Sequence, residues 1–242
     1  LKAYRDAQFQ RSRMVLVVVG NVSREELEKQ LAVFDALPEG TFAWPKVEHF
    51  TPQKDQFVFV PKPADFPTTY VDMRGPSGSI NDPDWWAERI LVEILNKRFF
   101  EEIRTKRNLS YSPGIYPNGE YSNFSMNISF QSVDPDSATH VAFRELRKMQ
   151  EELVPAKELT NAKEGRITTY FYGTQQNLRQ ANALYTDQVQ YGDWKLFFQI
   201  VPETEKVTAE QVRAAARKFF HHLSFVVMGP EGKSTRSVYH FE

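Results

Sequence analysis

The sequence predicts an α+β fold, with a mostly antiparallel sheet and helices packed on one face. The strand candidates come early and are followed by a long run of helices, which is typical of separate layers and not of a wound parallel sheet. Residues 124–131 alternate strictly, with apolar Phe124, Met126, Ile128 and Phe130 separated by serine, asparagine and glutamine. Such alternation predicts an antiparallel strand with one buried face.

The composition is that of a globular protein without a strong net charge. Apolar residues make up 41% and charged residues 25% of the chain. Because 30 Lys and Arg nearly cancel 31 Asp and Glu, we expect neither nucleic acid nor an anionic membrane as a partner. The absence of cysteine excludes disulfides, thiolate metal sites and a cysteine nucleophile. No apolar run approaches the roughly 20 residues that span a bilayer, so no membrane span is expected.

The first predicted elements are a strand and a helix. Residues 14–19 are a β-branched apolar run closed by Gly20, which predicts a strand buried on both faces. Ser23 and Glu26 have the spacing of a capping box, so a helix is expected to begin there. That helix places three apolar residues on one buried stripe: Leu27, Leu31 and Phe34.

The central part of the chain begins with a break in periodicity. Residues 41–56 contain prolines and show no repeat of apolar positions, which predicts a linker. Residues 57–60 and 68–73 are short strand candidates bounded by proline or glycine. Asp82 is a suitable N-cap with Pro83 at the first helical position, so the next helix is expected to begin there.

Helical periodicity then dominates the rest of the chain. Helices are predicted over residues 82–95, 98–106, 136–153, 156–172, 176–190 and 208–220. Thr208 and Gln211 have capping-box spacing at the start of the last helix. A final apolar strand is predicted over residues 224–228 and ends at Gly229.

The two ends of the chain share an order of features. Residues 3–20 run from an aromatic helix end through a polar and basic step into VLVVVG. Residues 215–229 run from two phenylalanines through two histidines into SFVVMG. Two helix-to-strand passages can look alike without being related. If they are repeats, the chain holds the end of one repeat and nearly all of a second.

No residue set of a familiar catalytic chemistry is found. None of the five histidines pairs with another at i, i+4 on a helix, as the helix of a zinc peptidase requires. His221 and His222 lie at a predicted helix end, where an imidazolium complements the helix dipole, and are interpreted as structural. The glycines form neither a P-loop nor a dinucleotide fingerprint. The aromatic doublet Trp85-Trp86 is interpreted as part of a core.

Residues 98–114, RFFEEIRTKRNLSYSPG, form the most distinctive stretch. The pattern R-T-K-x-x-L-x-Y is formed by Arg104, Thr105, Lys106, Leu109 and Tyr111. This string resembles the second-half signature of the pitrilysin/insulinase (inverzincin) zinc metallopeptidases, and is similar to strings in mitochondrial processing peptidases and their bacterial homologues. Two further stretches agree in order: residues 15–31 resemble the strand and helix that close the first half, and residues 75–95 resemble the first strand and helix of the second.

The resemblance implies one half of a duplicated metallopeptidase clamshell. In that family the first half binds zinc through an H-x-x-E-H motif, and the second, non-zinc half supplies an Arg and a Tyr that hold the substrate backbone. Carried over to this sequence, those substrate-binding residues are Arg104 and Tyr111. Both offer hydrogen-bond donors suited to peptide carbonyls. Helix 82–95 takes the place of the zinc helix but has no histidine, so zinc is expected in the missing half and no cofactor in this chain.

The resemblance also implies a division of the chain. Residues 1–40 would be the end of the preceding, catalytic-side repeat and residues 41–56 a linker. Residues 57–230 would form the second, non-zinc metallopeptidase-like domain, and residues 231–242 a C-terminal tail. The chain starts without an initiator methionine or a signal-type stretch and is interpreted as a fragment, so a targeting signal would lie upstream. The compartment stays open, with the bacterial periplasm as the first candidate.

Two functions remain open at this stage. In the first, the chain is the C-terminal half of a zinc metalloendopeptidase, inactive alone, that binds and orients peptide substrate for a catalytic N-terminal half or partner subunit. In the second, it is a non-catalytic scaffold or partner subunit of the same fold, similar to the respiratory-chain core proteins. A homo-oligomer is also possible, since a second copy of the chain would offer a sheet edge to residues 14–19. Retention of both Arg104 and Tyr111 favours the first reading.

Overall fold

A five-stranded mixed sheet forms the base of the fold in a computed structural model, which describes residues 1–43, 53–120 and 123–241. The strands are β1 Gln56–Lys62, β2 Thr69–Pro76, β3 Gly114–Glu120, β4 Asn123–Ser132 and β5 Ser224–Pro230. They lie in the order β1-β5-β2-β4-β3. β2 pairs antiparallel with β4 and β5, and β3 antiparallel with β4, whereas β1 runs parallel to β5. The mostly antiparallel sheet is confirmed, with a mixed edge at β1.

Eight α-helices are described. They are α1 Lys2–Gln8, α2 Arg24–Leu31, α3 Trp85–Phe99, α4 Pro135–Glu151, α5 Ala156–Thr174, α6 Asn177–Tyr191, α7 Leu196–Lys206 and α8 Ala209–Phe219. A π-helical turn, Phe100–Thr105, continues α3. Among these described helices, none combines the length and the apolar character that a membrane crossing needs.

One face of the sheet carries the core. The inward side chains of β2, β4 and β5 are fully or almost fully buried: Val71, Met73, Met126, Ile128, Phe130, Phe225 and Val227. Helix α3 is the central helix, because Ile90, Leu91, Ile94 and Leu95 are all buried in the same core. Helices α4 and α8 belong to the same cluster and complete the layer. The predicted arrangement of helices on one face of the sheet is confirmed.

The other face of the sheet is open. Its side chains alternate with the core residues along the same strands, as the two-residue period of a strand requires. Val58 on β1, Tyr70 on β2 and Val226 on β5 are each at least two-fifths exposed, at 54%, 41% and 41%. An apolar strip therefore remains uncovered on this face.

The N-terminal segment departs most from its prediction. Its capping box is confirmed, because Ser23 Oγ accepts from the Glu26 backbone and Glu26 reaches back to the Ser23 N–H. Residues 14–19, however, form no strand with any described residue, and Leu16 is 55% exposed. No side chain in residues 1–43 is buried, which includes the expected stripe of Leu27, Leu31 and Phe34. The burial prediction was wrong because burial requires neighbouring strands, and no described strand lies beside this segment.

The start of α3 was placed two residues early. Asp82 was predicted as the N-cap, whereas the helix begins at Trp85 with Asp84 at the cap position. Residues 82–85 form a turn in which the Trp85 N–H donates to the Asp82 carbonyl at 3.0 Å. The Asp82 carboxylate accepts from the Asp84 N–H at 2.9 Å and pairs with Lys218 on α8 at 2.6 Å. Asp82 thus caps the turn and fastens it to another helix.

The remaining elements agree with the periodicity, with two omissions. The helices predicted over 136–153, 156–172, 176–190 and 208–220 correspond to α4, α5, α6 and α8, and the capping box of Thr208 and Gln211 is confirmed. Helix α7 was not predicted, because Pro202 in its interior reads as a breaker. Strand β3, which begins at Gly114, was not among the predicted strands either.

The C-terminal residues pack into the domain. Tyr239 and Phe241 are buried, and the Phe241 N–H donates to the Asp55 carboxylate at 2.6 Å. The same carboxylate accepts from the Leu223 N–H at 2.7 Å. Asp55, which precedes β1, therefore connects the residue before β5 with the end of the chain. Residues 44–52, which include most of the predicted linker, lie outside the described part of the chain. The division of the chain into two repeats stays a prediction.

Candidate functional site

Arg104 lies on the π-helical turn that ends α3. In this turn the Lys106 N–H donates to the Glu101 carbonyl, five residues back, at 2.9 Å. The Leu109 N–H then donates to the Ile103 carbonyl at 2.9 Å, and Asn108 takes a positive φ of 50°. Ile103 is fully buried and anchors the turn to the core. π-helical turns are often found at functional sites, because the wider turn redirects side chains that an α-helix would align.

Arg104 and Tyr111 meet face to face. The guanidinium carbon of Arg104 lies 4.1 Å from the centroid of the Tyr111 ring and 4.8 Å from that of Phe100. Tyr111 lies in a bend before β3 and is 73% exposed. The backbone pairing of β3 begins only at Gly114, so Tyr111 lies outside the ladder, and its ring contacts the Arg104 guanidinium. No described carboxylate forms an ion pair with Arg104, so its N–H groups remain open to an acceptor.

A cluster of charges fixes the turn from its outer side. Glu102 accepts from Lys106 Nζ at 2.6 Å, from Arg107 Nη1 at 2.7 Å and from Arg144 Nη2 on α4 at 2.9 Å. The hydrogen bond from Lys106, followed by that from Arg107, lowers the pKa of Glu102 to about 2. Lys106 and Arg107 are exposed.

Arg98 and Glu102 are four residues apart on the helix, but the described ion pairs do not join them. Arg98 instead donates through Nε and Nη2 to both carboxylate oxygens of Glu158 on α5, each at 2.8 Å. It also lies 3.7 Å from the buried carboxylate of Glu145 on α4. The hydrogen bond to Glu158 is the first cause of the raised pKa of Arg98. Arg98 on α3 therefore connects α4 and α5 through the carboxylates of Glu145 and Glu158.

A cavity of about 450 Å³ lies on the open face of the sheet. Its lining includes Ser112, the residue after Tyr111, together with Tyr70, Tyr116 and Met228. Tyr116 was not identified from the sequence, although its position on an alternating strand gives it an outward direction. Gly114 permits this packing, because a Cβ at that position would overlap the Tyr116 hydroxyl. The lining mixes aromatic and aliphatic surface with polar atoms, which suits a peptide chain.

The residues that the structure describes do not form a zinc site. Within the described ranges, no group of three His, Cys, Asp or Glu side chains is placed to hold a metal ion. His222 and His240 both face Asp55, with His240 Nδ1 at 2.7 Å from its carboxylate, and His140 Nδ1 lies 2.8 Å from the Asp136 carbonyl. His49 lies outside the described residues. The metal that the resemblance implies is therefore not assigned to these residues.

The helical layer holds a second group of charged residues that the sequence did not reveal. Arg89, Glu93, Arg166 and Asp187 line one cavity. Trp85, interpreted as part of the core, lies at the edge of the same cavity. The sequence alone does not reveal this charged group, because which face of a helix is buried depends on the helices that pack against it.

Comparisons with known proteins identify the family and similar folds. Residues 1–166 match the family described as the peptidase M16 inactive domain. No curated protein matches the chain. Among solved structures, the peptidase M16 inactive domain from Pseudomonas fluorescens superimposes with a TM-score of 0.77 at 20% identity, over 92% of this chain and 55% of that one.

Two further structures are similar in fold. The periplasmic protease PqqL from Escherichia coli has a TM-score of 0.68 at 17% identity, over 88% of this chain and 25% of that one. A chain of complex III2 from Candida albicans has a TM-score of 0.72 at 13% identity, over 87% of this chain and 53% of that one. This chain thus spans about half the length of two of these proteins and a quarter of the third.

Proposed function

Because this chain belongs to the peptidase M16 inactive-domain family, we propose that it is the substrate-holding half of a zinc metallopeptidase. A separate half, in the same polypeptide or in a partner subunit, would hold the zinc and carry out hydrolysis. The role of this chain would be to bind and orient the peptide. No step of that role requires a metal on this chain.

The observation that carries the proposal is the contact between Arg104 and Tyr111, the residue before Ser112, which lines the cavity on the open sheet face. When an extended peptide binds, its carbonyl oxygens lose their water, and each then needs a hydrogen-bond donor from the protein. Arg104 supplies a planar fork of N–H donors and Tyr111 a hydroxyl. The apolar strip beside them would receive the side chains of the peptide.

The stack also explains how two side chains on irregular backbone can be pre-positioned. The Arg104 guanidinium contacts the rings of both Phe100 and Tyr111, which limits its freedom before a peptide arrives. Less side-chain entropy is then lost on binding, so more of the interaction appears as affinity. The ion pairs of Glu102 keep the turn itself in place.

The proposal is tested with the full-length parent of this chain. Hydrolysis of a panel of fluorescence-quenched peptides is measured for the wild type and for the double variant Arg104→Ala/Tyr111→Phe. We expect activity in the wild type and a severe loss in the double variant, with unchanged folding by circular dichroism. A parent that is inert towards every peptide, or a double variant with wild-type kinetics, would instead favour the scaffold function.

A further inference from the structure

A cavity of about 390 Å³ lies within the helical layer, apart from the stacked pair. It is bounded by α3, α5, α6, the start of α7 and the first residues of β3. A smaller cavity of about 220 Å³ adjoins it and shares four lining residues with it: Glu93, Arg166, Asp187 and Ile200. The combined space is in the range of small-molecule sites. The role proposed for Arg104 and Tyr111 makes no use of it.

Two buried N–H donors on the wall of this cavity have no partner. They are Nε1 of Trp85 on α3 and Nε of Arg166 on α5, and neither meets an acceptor among the described residues. A buried donor without an acceptor costs about 1–3 kcal/mol, so such groups are uncommon in native proteins and call for an explanation. Both donors belong to side chains that line this cavity, so a ligand held there is the candidate acceptor.

The charges of the cavity favour a negatively charged acceptor. The Arg89 guanidinium carbon lies 4.6 Å from the Trp85 ring centroid, next to one orphan donor. Burial, followed by the nearby charge of Arg89, lowers the pKa of Arg166 to about 10. Burial, followed by the charge of Asp193, raises the pKa of Asp187 to about 7. At neutral pH two guanidinium groups therefore face Glu93 and an aspartate that is only partly ionised.

The rest of the lining is apolar. Val92, Ile115, Leu196 and Ile200 contribute aliphatic surface, with the ring of Tyr191 beside them. Inorganic phosphate would leave this surface without a contact, and its second charge would be repelled by Glu93. A ligand with a single negative head and an apolar body satisfies both parts of the cavity.

We propose that this cavity binds a small organic monocarboxylate. Its head accepts hydrogen bonds from Trp85 Nε1 and Arg166 Nε, with Arg89 as a second cation, and its body packs against the aliphatic wall. A guanidinium suits this head because its N–H groups match the spacing of the two carboxylate oxygens. The inference is independent of peptide hydrolysis, since none of these residues takes part in the proposed substrate grip.

The test uses the chain itself, with 3-phenylpropionate as the probe in isothermal titration and in ligand-observed NMR. We expect saturable binding with a Kd on the order of 0.1–1 mM, which matches a few charge-assisted hydrogen bonds and one buried ring. The neutral analogue 3-phenylpropanol and inorganic phosphate should bind at least roughly tenfold more weakly.

Variants separate the site from general effects. Arg166→Gln should weaken binding about tenfold or more, because it removes a charged donor. Trp85→Phe keeps an aromatic ring and loses only Nε1, so a loss of about threefold to tenfold is expected. Arg147→Gln is the matched control, because Arg147 is exposed and stacks on Phe241 in another part of the fold, and binding should be unchanged.

Four outcomes overturn the proposal. They are no saturable binding below about 10 mM, equal binding of phosphate or the alcohol, unchanged affinity in Arg166→Gln, and equal losses in Arg147→Gln. If Arg166→Gln fails to fold, the comparison of Trp85→Phe with the wild type decides in its place. Unchanged affinity in Trp85→Phe then contradicts the assigned donor.

Discussion

The Arg104 guanidinium carbon lies 4.1 Å above the centroid of the Tyr111 ring, across a six-residue gap that contains a positive-φ asparagine. This stack means that a change at one residue also affects the other. A variant that removes the whole Tyr111 ring would therefore also release Arg104. Substitutions that keep the ring are needed to assign separate roles to the two side chains.

Tyr111→Phe tests the hydroxyl alone in the full-length parent. The ring and the stack persist, and only one hydrogen-bond donor is lost. If the phenol donates to the oxygen that gains charge during hydrolysis, kcat should fall on the order of 10²-fold, with little change in KM. Steady-state kinetics on one peptide measures this. Wild-type kinetics would show that the likeness to peptidases is one of fold and not of function.

Arg104→Ala should change KM as well as kcat. Arg104 would hold substrate backbone that is present before the reaction, so its loss weakens the ground state too. The controls are Lys106→Ala and Arg107→Ala, which remove exposed partners of Glu102 and leave the stack intact. We expect each control to cost at most about 1 kcal/mol of stability and to leave the kinetics nearly unchanged. A larger kinetic loss at Lys106 than at Arg104 would contradict the assignment.

The sequence predicted this site only in part, for a physical reason. The pattern R-T-K-x-x-L-x-Y brought Arg104 and Tyr111 to attention, but the turn that carries Arg104 contains a hydrogen bond from the Lys106 N–H to the Glu101 carbonyl, five residues back. A helix periodicity of 3.6 residues does not contain such a five-residue step. Local patterns that act within a few residues, such as the capping boxes at Ser23 and Thr208, were confirmed.

Features that depend on distant neighbours were not predictable in the same way. Arg166 and Asp187 have the sequence context of solvated helical charges, yet packing of α5 and α6 turns them into a cavity. The apolar run at residues 14–19 has the composition of a buried strand, yet its burial needs strands that no described residue supplies. In both cases the decisive partner is far away in sequence.

The raised pKa of Asp187 predicts a pH dependence of stability. Its pKa of about 7 exceeds its ordinary value of 3.8, chiefly because of burial, so the folded chain binds this proton more tightly than the unfolded chain does. The stabilisation is complete below 3.8 and is lost as the pH rises to about 7. Asp187→Asn removes this pH-dependent contribution to stability.

Chemical denaturation of the wild type and Asp187→Asn from pH 4 to pH 8 measures the effect. The variant should gain free energy of unfolding relative to the wild type as the pH rises across this range. Other groups, such as Glu102 with its lowered pKa, titrate alike in both proteins and cancel in the difference. Parallel curves for the two proteins would rule out a proton on Asp187 near neutrality.

Zinc should not bind to this chain stoichiometrically. The described residues offer no set of three ligands, and a tight zinc site uses at least three protein ligands. Metal analysis of protein stripped with chelator, reloaded with zinc and dialysed should give far less than one zinc per chain. One tightly held zinc per chain would contradict the prediction that the metal belongs to another half.

The N-terminal segment should be nearly neutral for the stability of the domain. No side chain of residues 1–43 is buried, whereas the core extends from Val71 to Phe241. A chain that starts at Gln53 should therefore keep its melting temperature within about 2–4 °C, which corresponds to about 1 kcal/mol for a domain of this size. Leu91→Ala is the comparison, because it empties a fully buried position and should cost about 2–5 kcal/mol.

The same segment should become protected when a preceding half is present. Residues 15–18 are apolar, Leu16 and Val18 are 55% and 44% exposed, and no described strand pairs with them. If they complete the sheet of a preceding repeat, their amides gain hydrogen bonds there, because unpaired strand backbone seeks a partner. Hydrogen exchange at residues 14–19 should then be fast in this chain and much slower in the full-length parent, while β4 is protected in both.

Equal, fast exchange in both proteins would show that residues 1–40 do not belong to a preceding repeat. If residues 14–19 of the isolated chain are protected from exchange, and the protection rises with protein concentration, the strand that pairs with them belongs to a second copy of the chain.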